Sequence, residues 1–201
     1  MPHCQAVHLH REMVQHCGMA SRTSIPHLCS STQMETAMST GTPPLPAGTR
    51  IGHVHLKVSD LERSIAFYSG VLGFDVTQRL GSSAAFLSAG GYHHHIGLNT
   101  WQSRGGPAPA PNMTGLYHTA ILLPDRKSLA AVLHRVLDAG IVLEGAADHG
   151  VSEAIYLRDP DGNGVELYRD RPEPEWPRTA DGSLDMGTEA LDLQAILAEI
   201  E

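Results

Sequence analysis

The chain has 201 residues, 41% of them apolar and 18% charged, with a formal net charge of −8. That is a globular composition, long enough to bury the core of one domain or two small ones. The acidic balance argues against a nucleic-acid or anionic-membrane partner. It is also confined: from Asp170 to Glu201 nine acids face two arginines, so the body of the chain is nearly neutral and the excess says little about a substrate. Cys4, Cys17 and Cys29 all fall in the first thirty residues without CxxC spacing. Disulfides therefore do not staple the domain, and a reducing, cytoplasmic setting is expected. No apolar run reaches the eighteen or so residues a bilayer span needs, and the N-terminus lacks the apolar stretch of a signal peptide.

Residues 1–48 show no sustained periodicity and end in the breaker run TGTPPLPAG, so they read as a disordered extension. The irregular spacing of His3, His8, His10, His16 and His27 speaks against a metal site there, and translation starting at Met34 or Met38 is a plain alternative. Order begins near Arg50. IGHVHLKV alternates as a half-buried strand, with Val54, Leu56 and Val58 on one face and His53, His55 and Lys57 on the other. Ser59 or Asp60 can cap the helix LERSIAFYSGVL, which Gly73 ends. Strands are expected over 74–79, 84–88 and 92–99, followed by the Pro/Gly linker of 102–114. The same order then returns: strand GLYHTAILLP, helix DRKSLAAVLHRVLDAG closed by Gly140, and strands IVLEG, EAIYLR and GVELYRD. DPDGNG forms the turn between the last two, its aspartates bonding the local backbone. In the tail, 171–201, apolar Leu193, Ile196, Leu197 and Ile200 form a helical stripe that would dock on the domain or on a neighbouring subunit.

This is an internal repeat. The expected fold class is α+β: two tandem βαβββ modules, 51–101 and 115–169 within a domain of 49–170; if they form a curved mixed sheet of half-barrels, their polar residues can converge around a metal site. Seven residues separate His53 from Asp60, and seven separate His118 from Asp125, so His53 superposes on His118. Aligning the turn DPDG with SAGG puts His95 opposite Glu166. In GGYHHHIGLN, period-two alternation sets His93 and His95 on one face and His94 on the other, in a packing role. Two imidazoles and a carboxylate with open positions are the facial triad of non-haem Fe(II) oxygenases. A further imidazole beside them can serve as acid/base, because its ordinary pKa lies near neutrality.

The segment HGVSEAIYLRDPDGNGVE, together with HHHIGLNTW and GLYHTAILLPDR, resembles the vicinal oxygen chelate superfamily of glyoxalases, bleomycin-resistance proteins and extradiol dioxygenases. The resemblance is to the catechol 2,3-dioxygenase-like branch, covers about 120 residues, and departs from the signature at Ala147. It implies His53, His118 and Glu166 as ligands of Fe(II), or of Mn(II), and His95 as the acid/base near dioxygen. It further implies His149 and Tyr156 as hydrogen-bonding partners of the substrate hydroxyls or the reacting oxygen. The implied reaction is cleavage of a small aromatic diol by O2 beside its hydroxyls, in a homodimer, as two-module relatives commonly pair.

Other readings stand beside it. His55, one pleat from His53, is a wall residue or a misassigned ligand, and His134 is an ordinary helix residue. Tyr156 can be core packing, His149 a loop residue, and Lys57 and Arg104 could steer an anion. A glyoxalase-like isomerase or lyase would use Zn(II) or Ni(II) with a carboxylate from each half, yet Glu62 is badly placed for that. A metal-free binding protein of the bleomycin-resistance kind would not need the two histidines and the glutamate.

Overall fold

The computed structural model describes residues 42–200. Expectations for residues 1–41, the histidine and cysteine readings included, lie outside the described residues. Residues 42–50 carry no helix or strand and are exposed throughout.

Module 1 begins with β1 (Val54–Lys57), shorter than the eight alternating residues predict; Leu56 and Val58 are buried and His55 and Lys57 exposed. Asp60 then turns extended and accepts the Arg63 N–H at 3.0 Å, capping α1 (Leu61–Ile65). The helix continues as a π-helical stretch, Ala66–Val71, in which the Leu72 N–H reaches the Phe67 carbonyl. Gly73, at φ +95, ends it in a conformation a side chain would resist. β2 (Asp75–Leu80), β3 (Ala84–Ser88) and β4 (Ile96–Asn99) complete a sheet of order β1-β4-β3-β2, with β1 parallel to β4.

Module 2 repeats the plan with β5 (Thr119–Leu122), α2 (Arg126–Asp138), β6 (Leu143–Asp148), β7 (Ser152–Arg158) and β8 (Gly164–Asp170). Asp125 caps α2 through the Ser128 N–H at 2.7 Å. The sheet order is β5-β8-β7-β6, extended at its far edge by β9 (Glu189–Ala190). Both sheets are open, and the expected pair of βαβββ half-barrels is the architecture observed. Their buried faces join one apolar cluster, in which Leu87, Ile96 and Leu98 of module 1 and Leu133, Ile155 and Leu167 of module 2 are essentially inaccessible.

Two features bear on the expectations, the first as one of the two alternatives foreseen for the tail and the second against them. The tail packs on this chain's own domain: α3 (Leu193–Leu197) buries Ile196 completely and lies on α2, and β9, which two residues are too few to announce, joins the sheet. The strand expected from Tyr92 starts only at Ile96, because Gly90 and Gly91, at φ +66 and +80, hold a turn that runs through bends to His95. Alternation therefore does not govern the histidine run. His94 is not turned away to pack: its ring lies 4.4 Å from His53 and 5.0 Å from Phe86.

The turn aspartates do more than shape DPDGNG. Asp159 accepts the local Asp161 and Asn163 N–H groups, as turn chemistry requires, and its other oxygen also accepts the hydroxyl of buried Tyr68 at 3.0 Å. Asp161 accepts the Ser59 N–H and hydroxyl and the Arg63 guanidinium, so a module 2 carboxylate holds the start of the module 1 helix. At the other end of that helix, Arg135 of α2 donates to the carbonyls of Val71 and Leu72, both at 2.9 Å. Asp161→Ala leaves the donors it satisfied without their acceptor in a buried place. It should lower stability to urea by about 1–3 kcal/mol. Arg63→Ala removes a guanidinium that is itself half exposed, and Asp161 keeps its Ser59 donors, so it should cost less, about 1 kcal/mol.

Candidate active site

The ladders decide which residues face one another. In module 2, Ala120, Glu166, Tyr156 and Gly145 form one row across β5, β8, β7 and β6. In module 1 the matching row across β1, β4, β3 and β2 is His55, Gly97, Phe86 and Gln78. With His53 matched to His118, the position equivalent to Glu166 is thus Gly97, not His95; the turns differ in length, and aligning them shifts the register by two residues. A large-for-small exchange accompanies this. A Cβ on Gly97 would sit 2.9 Å from the His55 ring, so that imidazole lies over the bare strand where module 2 has alanine beside glutamate.

On module 2, His118 Nε2 lies 2.9 Å from Glu166 Oε2. A nitrogen and a carboxylate oxygen at that separation stand as two adjacent ligands of one ion do, because bonds of about 2.1 Å at a right angle end about 3 Å apart. His118 Nδ1 is buried without a hydrogen-bond partner, which leaves Nε2 as the atom with a fixed role. The pair fits a divalent metal. Among the described residues no group of three or more His, Cys, Asp or Glu converges on one point, so His53 is not gathered with these two. His53 and His95 instead line a groove of about 580 Å³ between the edge strands β1 and β5. His118 and Tyr156 line a neighbouring pocket of about 180 Å³ with Tyr117, Glu144 and Arg158.

The other expected residues are tied in by hydrogen bonds. Tyr156 Oη lies 3.2 Å from Glu166 Oε1 and 2.9 Å from His149 Nε2, and His149 Nδ1 lies 2.9 Å from the Gly187 carbonyl. A carbonyl only accepts, so Nδ1 carries a proton and the neutral ring presents Nε2 as an acceptor. The single phenolic proton then faces two acceptors. Burial, and then the Glu166 carboxylate, push the Tyr156 pKa up to about 12, so the phenol keeps that proton. On module 1, the Ala89 N–H donates to His95 Nδ1 at 3.3 Å, with Ser88 Oγ at 3.1 Å. That contact places the His95 proton on Nε2, making it a hydrogen-bond donor; a role as base requires the Ala89 contact to open. Burial, with lesser contributions from neighbouring imidazoles, holds His55 and His94 below the usual histidine range.

A model of the family described as Glyoxalase/Bleomycin resistance protein/Dioxygenase superfamily matches residues 50–167. The chain belongs to that superfamily. It is 45% identical over 151 residues to a catechol-2,3-dioxygenase of Bacillus subtilis (strain 168), covering 75% of this chain and 52% of that protein. It is 34% identical over 121 residues to biphenyl-2,3-diol 1,2-dioxygenase 3 of Rhodococcus globerulus, covering 60% of this chain and 63% of that one. The chain thus spans about half to two thirds of the length of these relatives. A crystal structure of a glyoxalase/dioxygenase from Nostoc punctiforme shares the fold at a TM-score of 0.53 and 20% identity, with 67% of this chain and all of that one covered. In this superfamily member residues 168–200, which include β9 and the Gly187 carbonyl at His149, lie outside the matched domain.

Sequence reasoning missed Phe86 and Gly187, gave His94 only a packing role, and gave Asp159 and Asp161 only their local turn contacts. The ladder register alone reveals Phe86 as the counterpart of Tyr156, and a backbone carbonyl such as that of Gly187 leaves no trace in residue type. Gly97→Ala should cost about 1–3 kcal/mol by forcing the His55 ring aside. In a His55→Ala background the same change should be neutral or mildly stabilising, because the added methyl stiffens the unfolded chain; paired urea titrations check the coupling. Ultraviolet titration of the intact protein against Tyr156→Phe should isolate a phenol ionising at about 12. Glu166→Gln should lower that value but leave it above the ordinary 10.0, because burial is the larger cause.

Proposed function

We propose that this chain is a non-haem Fe(II)-dependent extradiol ring-cleaving dioxygenase, taking a small catecholic diol and O2 and working as a cytoplasmic homodimer. The observation that carries the reading is the His118–Glu166 pair, ligands at adjacent-site spacing, bonded through Tyr156 to His149. The names of the two dioxygenase relatives support the same chemistry. His118 and Glu166 would hold the metal in this reading; His53, which lines the separate groove beside the free edge of β1, would complete the set only if brought to them by movement of its module or by a second copy. Exposed Ile51, Leu116, Tyr117 and Leu122 flank the edge strands β1 and β5, and a second copy would cover them.

Bound there, Fe(II) would supply Lewis acidity toward both diol oxygens and a path for electrons from the ring to O2. The protein's part is proton handling and water exclusion. Tyr156 remains a phenol and donates to an oxygen bound beside Glu166. His149 Nε2 takes a proton relayed through Tyr156, and the resulting imidazolium donates back to the phenolic oxygen. His95 Nε2–H donates into the groove toward negative charge developing on oxygen. The glyoxalase-like alternative with Zn(II) or Ni(II) requires a carboxylate from each module, and the place matching Glu166 in module 1 is Gly97.

The test is anaerobic purification, reconstitution with Fe(II), and measurement of oxygen uptake and yellow product with a panel of catechols. One O2 consumed per diol is expected. His118→Ala should lose the metal, and His95→Ala should keep it while turnover falls about 10²–10⁴-fold. No uptake with any diol, together with tight zinc or nickel binding, would sink the proposal. Equal loss of metal in both variants would make His95 a ligand.

A further inference from the structure

The polar cluster around Tyr156 ends on a segment that belongs to neither module. After β8 the chain makes a short turn at Glu173–Glu175 and later pairs with the outer strand of module 2, β6. There the Gly187 N–H donates to the His149 carbonyl at 3.2 Å, and the Gly187 carbonyl accepts from His149 Nδ1 at 2.9 Å. The next residues form β9, with Glu189 opposite Asp148 and Ala190 opposite Ala147 on β6. Then α3 docks by its fully buried Ile196.

A charged anchor holds the same strap. The Arg126 guanidinium donates to the Ala195 carbonyl at 3.2 Å, to Glu199 at 2.6 Å and to the buried Glu153 at 3.1 Å. Glu153 also takes Arg169 and Arg171, and Arg171 reaches Asp148, the residue before His149. One end of the strap is thus held by apolar burial and ion pairs, and the other end is bonded on both sides to the backbone and ring of a single histidine.

We infer that residues 187–190 are a positioning element of the site: the Gly187 carbonyl fixes the His149 proton on Nδ1, and so turns a bare Nε2 acceptor toward the Tyr156 hydroxyl. A neutral imidazole free of that contact can place its proton on either nitrogen. With the proton on Nε2 it could only donate to Tyr156, and it could not take a proton through that phenol. The strap selects the tautomer that lets proton traffic run from the Glu166 side to His149. The consequence for turnover rests on the dioxygenase reading; the tautomer assignment does not.

A variant of the full chain tests this: a Gly-Ser-Gly insertion between Thr188 and Glu189 slackens the contact at Gly187 while α3 stays docked. Two-bond nitrogen–proton correlation spectra of ¹⁵N-histidine protein, with the His149 signals assigned by their loss in His149→Gln, read the tautomer directly. The intact chain should show His149 as Nδ1–H, and the folded insertion variant a mixture. Turnover in the insertion variant should fall about tenfold or more with metal content unchanged. His149 found as Nε2–H in the intact protein, or an unchanged tautomer in the insertion variant, would overturn the inference. If no diol is turned over, the dioxygenase reading fails and the nitrogen spectra still decide the strap.

Discussion

Two carboxylates in a six-residue turn hold the halves of this protein in register. Asp159 and Asp161 are 4% and 7% exposed, and burying a carboxylate is unfavourable unless donors replace the water it loses. The donors come partly from the turn's own backbone and partly from Ser59, Arg63 and Tyr68 of the other module. Neither module alone satisfies both side chains, so the turn closes fully only when the modules are docked. The turn also starts β8, on which Glu166 is the third residue. The contact that sets the module 1 helix therefore also sets the carboxylate at the site, and Arg135 secures the far end of that helix from α2.

On this frame the repeat is symmetric in backbone and asymmetric in chemistry. Module 2 spends its concave row on Glu166 and Tyr156, with small neighbours in Ala120 and Gly145. Module 1 puts Gly97 and Phe86 in the same places and gives the space of the missing carboxylate to His55. One half thus carries the negative charge and the proton relay, while the other offers imidazoles and aromatic surface: His53, His55, His94, Phe86 and the exposed Trp101. Burial, and then mutual repulsion, hold His55 and His94 below the usual histidine range, so these two rings take a proton less readily than a free histidine.

What was legible in the sequence followed from local rules. Asp60 and Asp125 announce their helices because a capping carboxylate needs only the next turn of its own chain, and Gly73 and Gly140 end them because their φ values are +95 and +68. The superposition of His53 on His118 was legible because both precede a capped helix by the same spacing. The match of His95 to Glu166 misled because loops between repeats drift in length while ladders do not; Ala120 faces Glu166, and His55 faces Gly97. The alternation assigned to His93–His95 failed for a related reason. Two left-handed glycines precede the run, and a pleat does not pass through them. Asp159 and Asp161 read as turn residues, which they are, but their outward oxygens bond to residues some ninety to a hundred positions away, which no local pattern reports.

At Tyr156 the strap and the site form one hydrogen-bonded line. Four groups in a line, the Gly187 carbonyl, His149, Tyr156 and Glu166, carry two protons between them in the neutral state, one on Nδ1 and one on the phenol. Three contacts need three protons, so one contact is always short of a donor. A third proton entering at Nε2 completes the set: the imidazolium donates to both the carbonyl and the phenolic oxygen, and the phenol is released to donate wholly to Glu166. The phenol's own pKa is pushed up to about 12, so Tyr156 keeps its proton while the third is absent. The line is thus built one proton short, with its vacancy at the histidine that the C-terminal strap orients.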